Sequence, residues 1–320
     1  MKSFLESKIK KKIKEKCIYL KRHFFKYTIF VIFLSFEYLS IPRQEIISTN
    51  SHYIFTFWEP HHSIPGYLSL CMKTWRKNIP DNYNIIILDY SNLQDYLSSK
   101  LLNQILCKNM TLQIQADAIR VAILYKYGGF WMDVDTLIIN HNFMNMFSGS
   151  DLIMFGISKI KQQHIGFIYA SNNSKILKAW LKGIIYKIRI YKFRLSLSRI
   201  FKNQYFEQSI NQLRNWSYLG NGILDDLVNN IPEREFKRIE DNDAYVLPDQ
   251  ILLKGFNIYR YTQFYFSKKI TMQFLKKCKG VILLHNSWTP KKYQKMSEEL
   301  FLRQNILLSH LISNILNNTN

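Results

Sequence analysis

Apolar and polar positions follow one another in blocks that predict strands and helices in turn. Residues 51–58 and 83–88 are β-branched and aromatic runs typical of strands, and the continuous apolar run of the second predicts a fully buried strand. Residues 68–77 and 93–106 have helical spacing. Strands that alternate with helices predict an α/β fold with a mainly parallel sheet and helices on both faces.

The clearest helix of the pattern covers residues 113–127. Its apolar stripe consists of Ile114, Ala118, Val121, Ala122 and Tyr125. A Gly-Gly pair at 128–129 ends the helix, because glycine accepts the left-handed conformation of a helix C-cap. A short strand over 130–132 follows, so Asp133 and Asp135 come directly after a strand end.

Three later segments complete the predicted domain. Residues 175–218 form a second basic helical stretch, which we expect to be an insertion that packs beside the sheet with a face suited to lipid. Residues 280–285 are apolar and predict a late core strand. Residues 297–317 predict a C-terminal helix.

The first 26 residues hold ten Lys and Arg against two Glu, with apolar residues at helical spacing. A basic amphipathic helix suits an anionic membrane surface. The apolar run 27–36 is far shorter than the roughly 20 residues that span a bilayer. We therefore expect a surface-lying arm over 1–48, a domain over 49–296 and a C-terminal helix within 297–320. A cleaved signal peptide and a solvated charged helix stay as alternatives for the arm.

The formal net charge is +21, from 44 Lys and Arg against 23 Asp and Glu. Such a surface attracts polyanions. The sequence contains no helix-turn-helix, zinc-finger or RNP signature, so we expect no nucleic-acid partner and favour an anionic membrane. The four cysteines show no metal-ligand spacing and no disulfide framework, which favours a reducing compartment. We expect a cytoplasmic protein, peripheral on the inner face of the membrane.

Asp133 and Asp135 are the first candidates for chemistry. Residues i and i+2 of a strand point to the same side, and two close carboxylates repel each other unless a cation lies between them. Mn²⁺ or Mg²⁺ takes such oxygen ligands, and it would bridge a diphosphate beyond the strand end. Alone, the D-x-D spacing is a weak signal, since a solvated acidic turn matches it too.

The residues around this pair resemble the D-x-D region of glycosyltransferases. The similarity is strongest to capsular polysaccharide synthesis proteins and the related OCH-type mannosyltransferases. That family has an Asp and an Arg three residues apart on a helix, then Leu-Tyr, Gly-Gly, two aromatic or apolar residues and D-x-D. The counterparts in this chain are Asp117, Arg120, Leu124-Tyr125, Gly128-Gly129, Phe130-Trp131 and Asp133-Val134-Asp135. The resemblance covers residues 50–290 and is densest over 116–136.

The resemblance implies a GT-A-like, Rossmann-like fold and a metal-dependent hexosyltransferase that retains anomeric configuration. The expected donor is a nucleoside-diphosphate sugar and the expected acceptor is a glycan or lipid-linked glycan of capsular or other surface polysaccharide synthesis. Asp117 would bond to donor-sugar hydroxyls and Arg120 would hold sugar or phosphate, so the expected catalytic set is Asp117, Arg120, Asp133 and Asp135. The competing interpretation of Asp117 and Arg120 is an exposed ion pair.

An amino-terminal block also resembles the family. Its Phe57-Trp58-Glu59-Pro60, Ile64-Pro65-Gly66 and Cys71-Met72-Lys73-Thr74-Trp75 segments follow the capsular pattern. In the family, the end of the first strand holds the nucleotide base, which makes Thr56, Phe57 and Trp58 the donor-binding candidates. Core packing is the alternative for Phe57, and we expect Trp75 to be a core residue.

Near the C-terminus, a His followed by Asn-Ser-Trp resembles a similar stretch of the family. The resemblance implies that His285 is a third metal ligand or a phosphate contact, and that Ser287 and Trp288 close over the diphosphate. Without the resemblance, a lone His at a strand end is usually structural. The chain departs from the family at Gly220-Asn221-Gly222, where members often have Gly-Pro before the acceptor-side helix.

Two other classes of protein stay open on the sequence. A phosphatase of the haloacid-dehalogenase type also carries D-x-D after a strand, with the first Asp as nucleophile. It expects Thr or Val where this chain has Leu137, and it has the motif on the first strand. A non-enzymatic basic adaptor at the membrane surface is the other alternative.

Overall fold

The computed structural model describes most of the chain from residue 52 onward. The described residues are 52–147, 149–157, 162–201, 215, 217–229, 231–240, 257–268, 272–273, 275, 278 and 280–317. All of them belong to one structural unit, Glu45–Asn320. The predicted arm over 1–48 and residues 202–214 of the predicted insertion lie outside the described residues.

Strands and helices alternate along the first half of the described chain, as the apolar pattern predicts. The strands are β1 His52–Phe57, β2 Tyr83–Leu88, β3 Gly129–Met132, β4 Thr136–Ile138, β5 Leu152–Ile157, β6 Gln162–Ala170, β7 Phe236–Glu240 and β8 Val281–Leu283. The helices are α1 Gly66–Asn78, α2 Leu93–Tyr96, α3 Ser99–Ile105, α4 Leu112–Tyr127, α5 Lys175–Phe201, α6 Asn221–Val228, α7 Ile258–Tyr265, α8 Lys291–Gln294, α9 Glu298–Leu302 and α10 Leu307–Asn317.

Six of the strands form one sheet in the order β2-β1-β3-β6-β5-β7. β1 runs parallel to both β2 and β3, and β5 runs parallel to β7. β6 is antiparallel to its neighbours β3 and β5. Three of these five pairings are parallel, so the α/β class with a mainly parallel sheet is confirmed.

One strand prediction needs correction, and the late core strand is confirmed in a different sheet. The run 83–88 is not a fully buried strand, because β2 lies at the edge of the sheet and Leu88 is its only buried residue. The late strand β8 is buried, but it does not join the main sheet. It pairs antiparallel with β4, from Thr136 opposite Leu283 to Ile138 opposite Val281, and the two form a separate small sheet.

Helices cover both faces of the sheet at β1, as predicted. Successive side chains of a strand point to opposite faces. Ile54 belongs to the core cluster that includes Tyr67 and Leu68 of α1. Phe55 faces the other way, with its ring 6.1 Å from the ring of Tyr96 and 5.6 Å from that of Tyr127.

The helix boundaries follow local capping chemistry. α4 ends at Tyr127, and its C-cap Gly128 has a φ of 67° and a ψ of −162°; this positive φ favours glycine, although the ψ differs from that of the left-handed helical conformation predicted. The predicted helix 93–106 is two helices, because the hydroxyl of Ser98 accepts a hydrogen bond from the Leu101 amide and starts α3. The predicted helix 297–317 is likewise two helices, α9 and α10.

Three side chains of α1 fix the strand that follows the D-x-D pair. Trp75 is fully buried, and its Nε1 donates to the Thr136 carbonyl at 2.6 Å. The Thr74 hydroxyl accepts from the Ile138 amide at 3.0 Å, and Asn78 Nδ2 donates to the Ile138 carbonyl at 2.9 Å. Because β4 is only three residues long, these bonds supply pairing that a longer strand would obtain from neighbouring strands.

The basic stretch after residue 175 forms the long helix α5. Its inner side is anchored by Trp180, which is fully buried and donates from Nε1 to the Leu219 carbonyl at 2.7 Å. Its outer side exposes Lys175, Lys178 and Lys182, which share one face at helical spacing. Among the described helices, none combines the length and apolarity needed to cross a bilayer.

We expect Trp75→Ala to lower the free energy of unfolding by about 3–5 kcal/mol, since it creates a large cavity and orphans the Thr136 carbonyl. The half-exposed Leu300 offers a matched control, and Leu300→Ala should change it by about 0.5 kcal/mol or less. Chemical denaturation measures both values. Similar losses for the two variants would contradict the proposed anchoring of β4.

Candidate active site

Asp133 lies at the carboxyl end of β3, at the edge where the parallel strands β1 and β3 both end. Its amide donates to the Gly166 carbonyl at 2.7 Å, which continues the pairing of β3 with β6 past the end of the strand. Trp131 Nε1 donates to Asp133 Oδ1 at 2.8 Å. The Asp133 side chain is 39% exposed, so one carboxylate is fixed by its neighbours and still open to a ligand.

The Arg120 guanidinium connects two carboxylates below the site. Its Nη2 lies 3.2 Å from Asp117 Oδ1 and 3.4 Å from Asp133 Oδ1, and Nη1 donates to the Ile165 carbonyl. Its Cζ lies 5.2 Å from the centre of the Trp131 ring. The Arg120 and Asp117 side chains are only 6% and 5% exposed. The alternative of an exposed surface ion pair is therefore wrong for this chain.

Burial shifts the protonation of the acids in this cluster. The pKa of Asp117 is raised to about 7 by burial, which the Arg120 charge opposes and the Asp133 charge reinforces. Burial and the Asp133 carboxylate also raise the pKa of Asp135. The cluster thus contains more acid groups than the single Arg120 guanidinium neutralises, which is the environment in which a further cation is stabilised.

The small sheet brings the late His-Asn-Ser-Trp stretch to Asp135. β8 pairs with β4, and the Leu284 amide donates to the Asp135 carbonyl at 3.2 Å. The Asn286 amide donates to Asp135 Oδ2 at 2.6 Å, and the Tyr67 hydroxyl donates to Asn286 Oδ1. Segments about 150 residues apart in the chain therefore meet through one carboxylate.

His285 is held in an aromatic enclosure. Its ring stacks on Trp288 with centroids 4.4 Å apart, and the Tyr261 ring meets both rings edge-on. The His285 amide donates to the Tyr261 hydroxyl at 3.0 Å. Burial lowers the pKa of His285 to about 3, so its imidazole is neutral. Ser287 lies between His285 and Trp288 in the sequence, and it is exposed.

The donor-binding candidates Thr56, Phe57 and Trp58 lie at the carboxyl end of β1, at the same edge of the sheet as Asp133. β1 and β3 are parallel, with Phe55 opposite Trp131, so both strands finish on one side. Thr56 is buried, and its Oγ1 has no hydrogen-bond partner among the described residues. The same holds for Trp58 Nε1, whereas Phe57 is buried and meets the Tyr90 ring edge-on at 5.6 Å.

Two glycines allow the acid side chains to lie close to the backbone. A Cβ atom on Gly166 would lie 2.7 Å from Asp133 Oδ2, and a Cβ atom on Gly220 would lie 2.9 Å from Asp117 Oδ2. Neither distance is tolerated by real Cβ atoms without displacement of the carboxylate. The sequence departure at 220–222 therefore falls directly beside Asp117, which the apolar pattern alone does not reveal.

His164 is a site residue that the sequence analysis missed. It lies on β6 two residues before Gly166, and its ring centroid is 5.6 Å from that of His285. Burial lowers its pKa to about 4, against the opposing effect of the Asp133 charge. Alternation along β6 assigns His164 and Gly166 to one face, but only the antiparallel pairing with β3 shows that this face contains Asp133.

The donor set at Asp133 and Asp135 fits a hard divalent cation. The part of the chain that the structure describes contains no group of three or more His, Cys, Asp and Glu arranged for a metal ion. Mg²⁺ is nevertheless commonly bound by one or two carboxylates together with substrate phosphates. Two acid groups that repel each other suit that mode. The ligand roles of Asp133, Asp135 and His285 stay predictions.

A family model described as "Capsular polysaccharide synthesis protein" matches residues 2–210 of the chain. Among curated proteins, no sequence matches.

Several solved glycosyltransferase structures are similar to this chain. Glycosyltransferase GlyE of Streptococcus pneumoniae TIGR4 is 12% identical, with a TM-score of 0.41 over 84% of this chain and 61% of that chain. A glycosyltransferase involved in glycosylation of the major capsid of PBCV-1 is 10% identical, with a TM-score of 0.37 over 78% and 99% of the two chains. The chain thus spans about three fifths of the length of GlyE.

Removal of the buried Arg120 guanidinium should destabilise the folded protein. We expect Arg120→Met to lower the free energy of unfolding by about 3–5 kcal/mol, because it leaves Asp117 buried without its cation. The double variant Arg120→Met, Asp117→Asn should recover part of that loss, because it no longer contains the buried carboxylate. Urea denaturation at neutral pH measures both variants.

Arg303 provides the matched control for this prediction. It pairs with Glu299 on the surface, where both side chains are about 70% exposed. Arg303→Met should cost about 1 kcal/mol at most. An equal loss for Arg120→Met and Arg303→Met would contradict a structural role of the buried pair.

Proposed function

The chain belongs to the capsular polysaccharide synthesis protein family, and from that premise we propose that it is a glycosyltransferase. It would move a sugar from a nucleoside-diphosphate sugar to a glycan or lipid-linked glycan during synthesis of a capsule or another surface polysaccharide. The retaining outcome and the identity of the metal ion, Mn²⁺ or Mg²⁺, belong to the same proposal.

The observation that carries the proposal is the hydrogen bond from the Asn286 amide to Asp135 Oδ2. It joins the D-x-D pair to the His-Asn-Ser-Trp stretch, and these two segments resembled the family independently in sequence. A solvated acidic turn does not require such a partner. The meeting of the two segments at the carboxyl end of β3 supports a single site for the diphosphate.

Each residue of the site has a proposed task. Asp117 accepts hydrogen bonds from hydroxyls of the transferred sugar, and Arg120 fixes Asp117 and Asp133 at a constant separation. Gly166 and Gly220 let the Asp133 and Asp117 carboxylates lie against bare backbone, because a Cβ atom at either position would be less than 3.0 Å from a carboxylate oxygen. A divalent ion bound by Asp133, Asp135 and His285 would supply electrostatic stabilisation of the leaving diphosphate.

Two segments that flank the acid side chains are assigned to the nucleotide base and to the diphosphate. We propose that the base lies at the end of β1, where Thr56 Oγ1 and Trp58 Nε1 are buried polar atoms suited to a ligand and Phe57 supplies an aromatic edge. Ser287 is exposed beside the stacked pair of His285 and Trp288, so this segment is able to close over the phosphates.

Attachment to an anionic membrane surface stays part of the proposal. The formal net charge of +21 supports it, as do Lys175, Lys178 and Lys182 on the exposed face of α5. A position on the inner face of the membrane would bring the site to a lipid-linked acceptor.

Donor hydrolysis tests the proposed activity. Purified protein is incubated with UDP- and GDP-sugars and Mn²⁺, and free nucleotide is measured. We expect release from at least one donor, dependence on the cation, and a loss of at least about 100-fold in Asp133→Asn, because the site then loses one carboxylate ligand. Asp81→Asn is the matched control, since Asp81 is an exposed carboxylate just before β2, at the opposite end of the strands.

Two outcomes of this assay favour the other classes of protein. Release of phosphate from simple phosphate esters, with sugar nucleotides left intact, would support the phosphatase. Absence of any turnover in protein that binds vesicles would support the basic adaptor. Equal rates for Asp133→Asn and Asp81→Asn would contradict the assigned site.

A further inference from the structure

His164 has polar atoms that the described structure leaves without partners. It lies on β6 opposite Phe155, directly beyond the irregular register between Met154 and Phe155 of β5. Both ring nitrogens, Nδ1 and Nε2, are buried and form no hydrogen bond with any described residue. Buried polar atoms are nearly always satisfied, so an imidazole with two orphaned nitrogens calls for a specific partner.

The groups around His164 belong to the site. Asp133 and Arg120 act on it electrostatically, and the His285 ring lies 5.6 Å from its own. The point that a Cβ on Gly166 would occupy is 2.7 Å from Asp133 Oδ2 and 3.0 Å from His164 Cε1. The imidazole and the carboxylate are therefore neighbours that both pack close to Gly166, which is possible because residue 166 has no side chain.

The chemistry of a neutral imidazole restricts the ligand. One ring nitrogen donates and the other accepts, so the best partner both accepts and donates hydrogen bonds. A sugar hydroxyl does both, whereas an ionised phosphate only accepts. A metal ion is the poorer match, since it would coordinate one ring nitrogen and leave the other, an N–H, buried without a partner.

We propose that His164 binds a sugar hydroxyl at the reaction centre, beside the Asp133 carboxylate. The proposal rests on the proposed glycosyltransferase function and adds a substrate-contacting residue to it. The hydroxyl comes either from the transferred sugar of the donor or from the acceptor. The His164 ring lies 5.6 Å from that of His285, the residue proposed for the diphosphate side of the site.

Steady-state kinetics of His164→Phe and His164→Gln test the proposal. Phenylalanine keeps a ring but has no polar atom, whereas glutamine keeps one donor and one acceptor. We expect His164→Phe to lower kcat/KM by about 10- to 100-fold and His164→Gln to recover part of the loss. His310→Phe is the matched control, because His310 is an exposed residue on α10.

Two reactions identify the source of the hydroxyl. Donor hydrolysis uses water as acceptor, so a loss in hydrolysis assigns the hydroxyl to the donor sugar. Normal hydrolysis together with slower transfer to methyl glycosides assigns it to the acceptor. Unchanged kinetics in both reactions would overturn the role of His164, although the wild-type activity would still support a glycosyltransferase. A wild-type protein inactive on every donor would overturn the proposed function and this inference with it.

Thermal unfolding separates ligand binding from a structural role. His164→Phe removes two orphaned nitrogens and adds apolar surface, so we expect it to be at least as stable as the wild type. A lower midpoint in His164→Phe, accompanied by the same kinetic loss in His164→Gln, would show that His164 acts through the fold and would overturn the proposal.

Discussion

The Arg120 guanidinium is the cation on which the arrangement of the site depends. Arg120 is buried between Asp117 and Asp133, and it also donates to the Ile165 carbonyl on β6. One planar group therefore ties the helix before the Gly-Gly pair to the strand end after it and to the neighbouring antiparallel strand. A lysine has no comparable fork of donors, so the geometry requires arginine. Acid side chains fixed in this way keep their positions before any substrate arrives, which reduces the cost of binding it.

The local sequence predicts where the strands and helices lie better than it predicts which elements lie beside them. The helix 113–127 and its glycine stop are apparent from spacing and capping chemistry, and the structure differs by one residue at the start. The apolar composition of 83–88 identifies a strand, but burial depends on what lies beside it, and β2 has a neighbour on one side only. The pairing of β8 with β4 depends on contacts between residues about 145 positions apart, which no local pattern contains.

Contacts between residues that are distant in the chain also limit how much of the site the sequence predicts. Asp117, Arg120, Asp133 and Asp135 stand within 20 residues of one another, so a motif was able to identify them. The resemblance also singled out His285, and the structure brings its segment to Asp135 through the Asn286 amide. His164, Gly166 and Gly220 carry no such motif, since their importance comes from the space and the partners around them. A missing Cβ beside a carboxylate is visible only in three dimensions.

In the proposed site, Asp133 and Asp135 hold a divalent cation that binds the diphosphate of an activated sugar. Isothermal titration calorimetry of UDP and GDP into the wild-type protein and Asp135→Asn, with and without Mn²⁺, measures this directly. We expect binding of at least one nucleotide that requires Mn²⁺ and weakens at least about tenfold in Asp135→Asn. Equal affinity with and without the cation, or equal affinity in the two proteins, would contradict it.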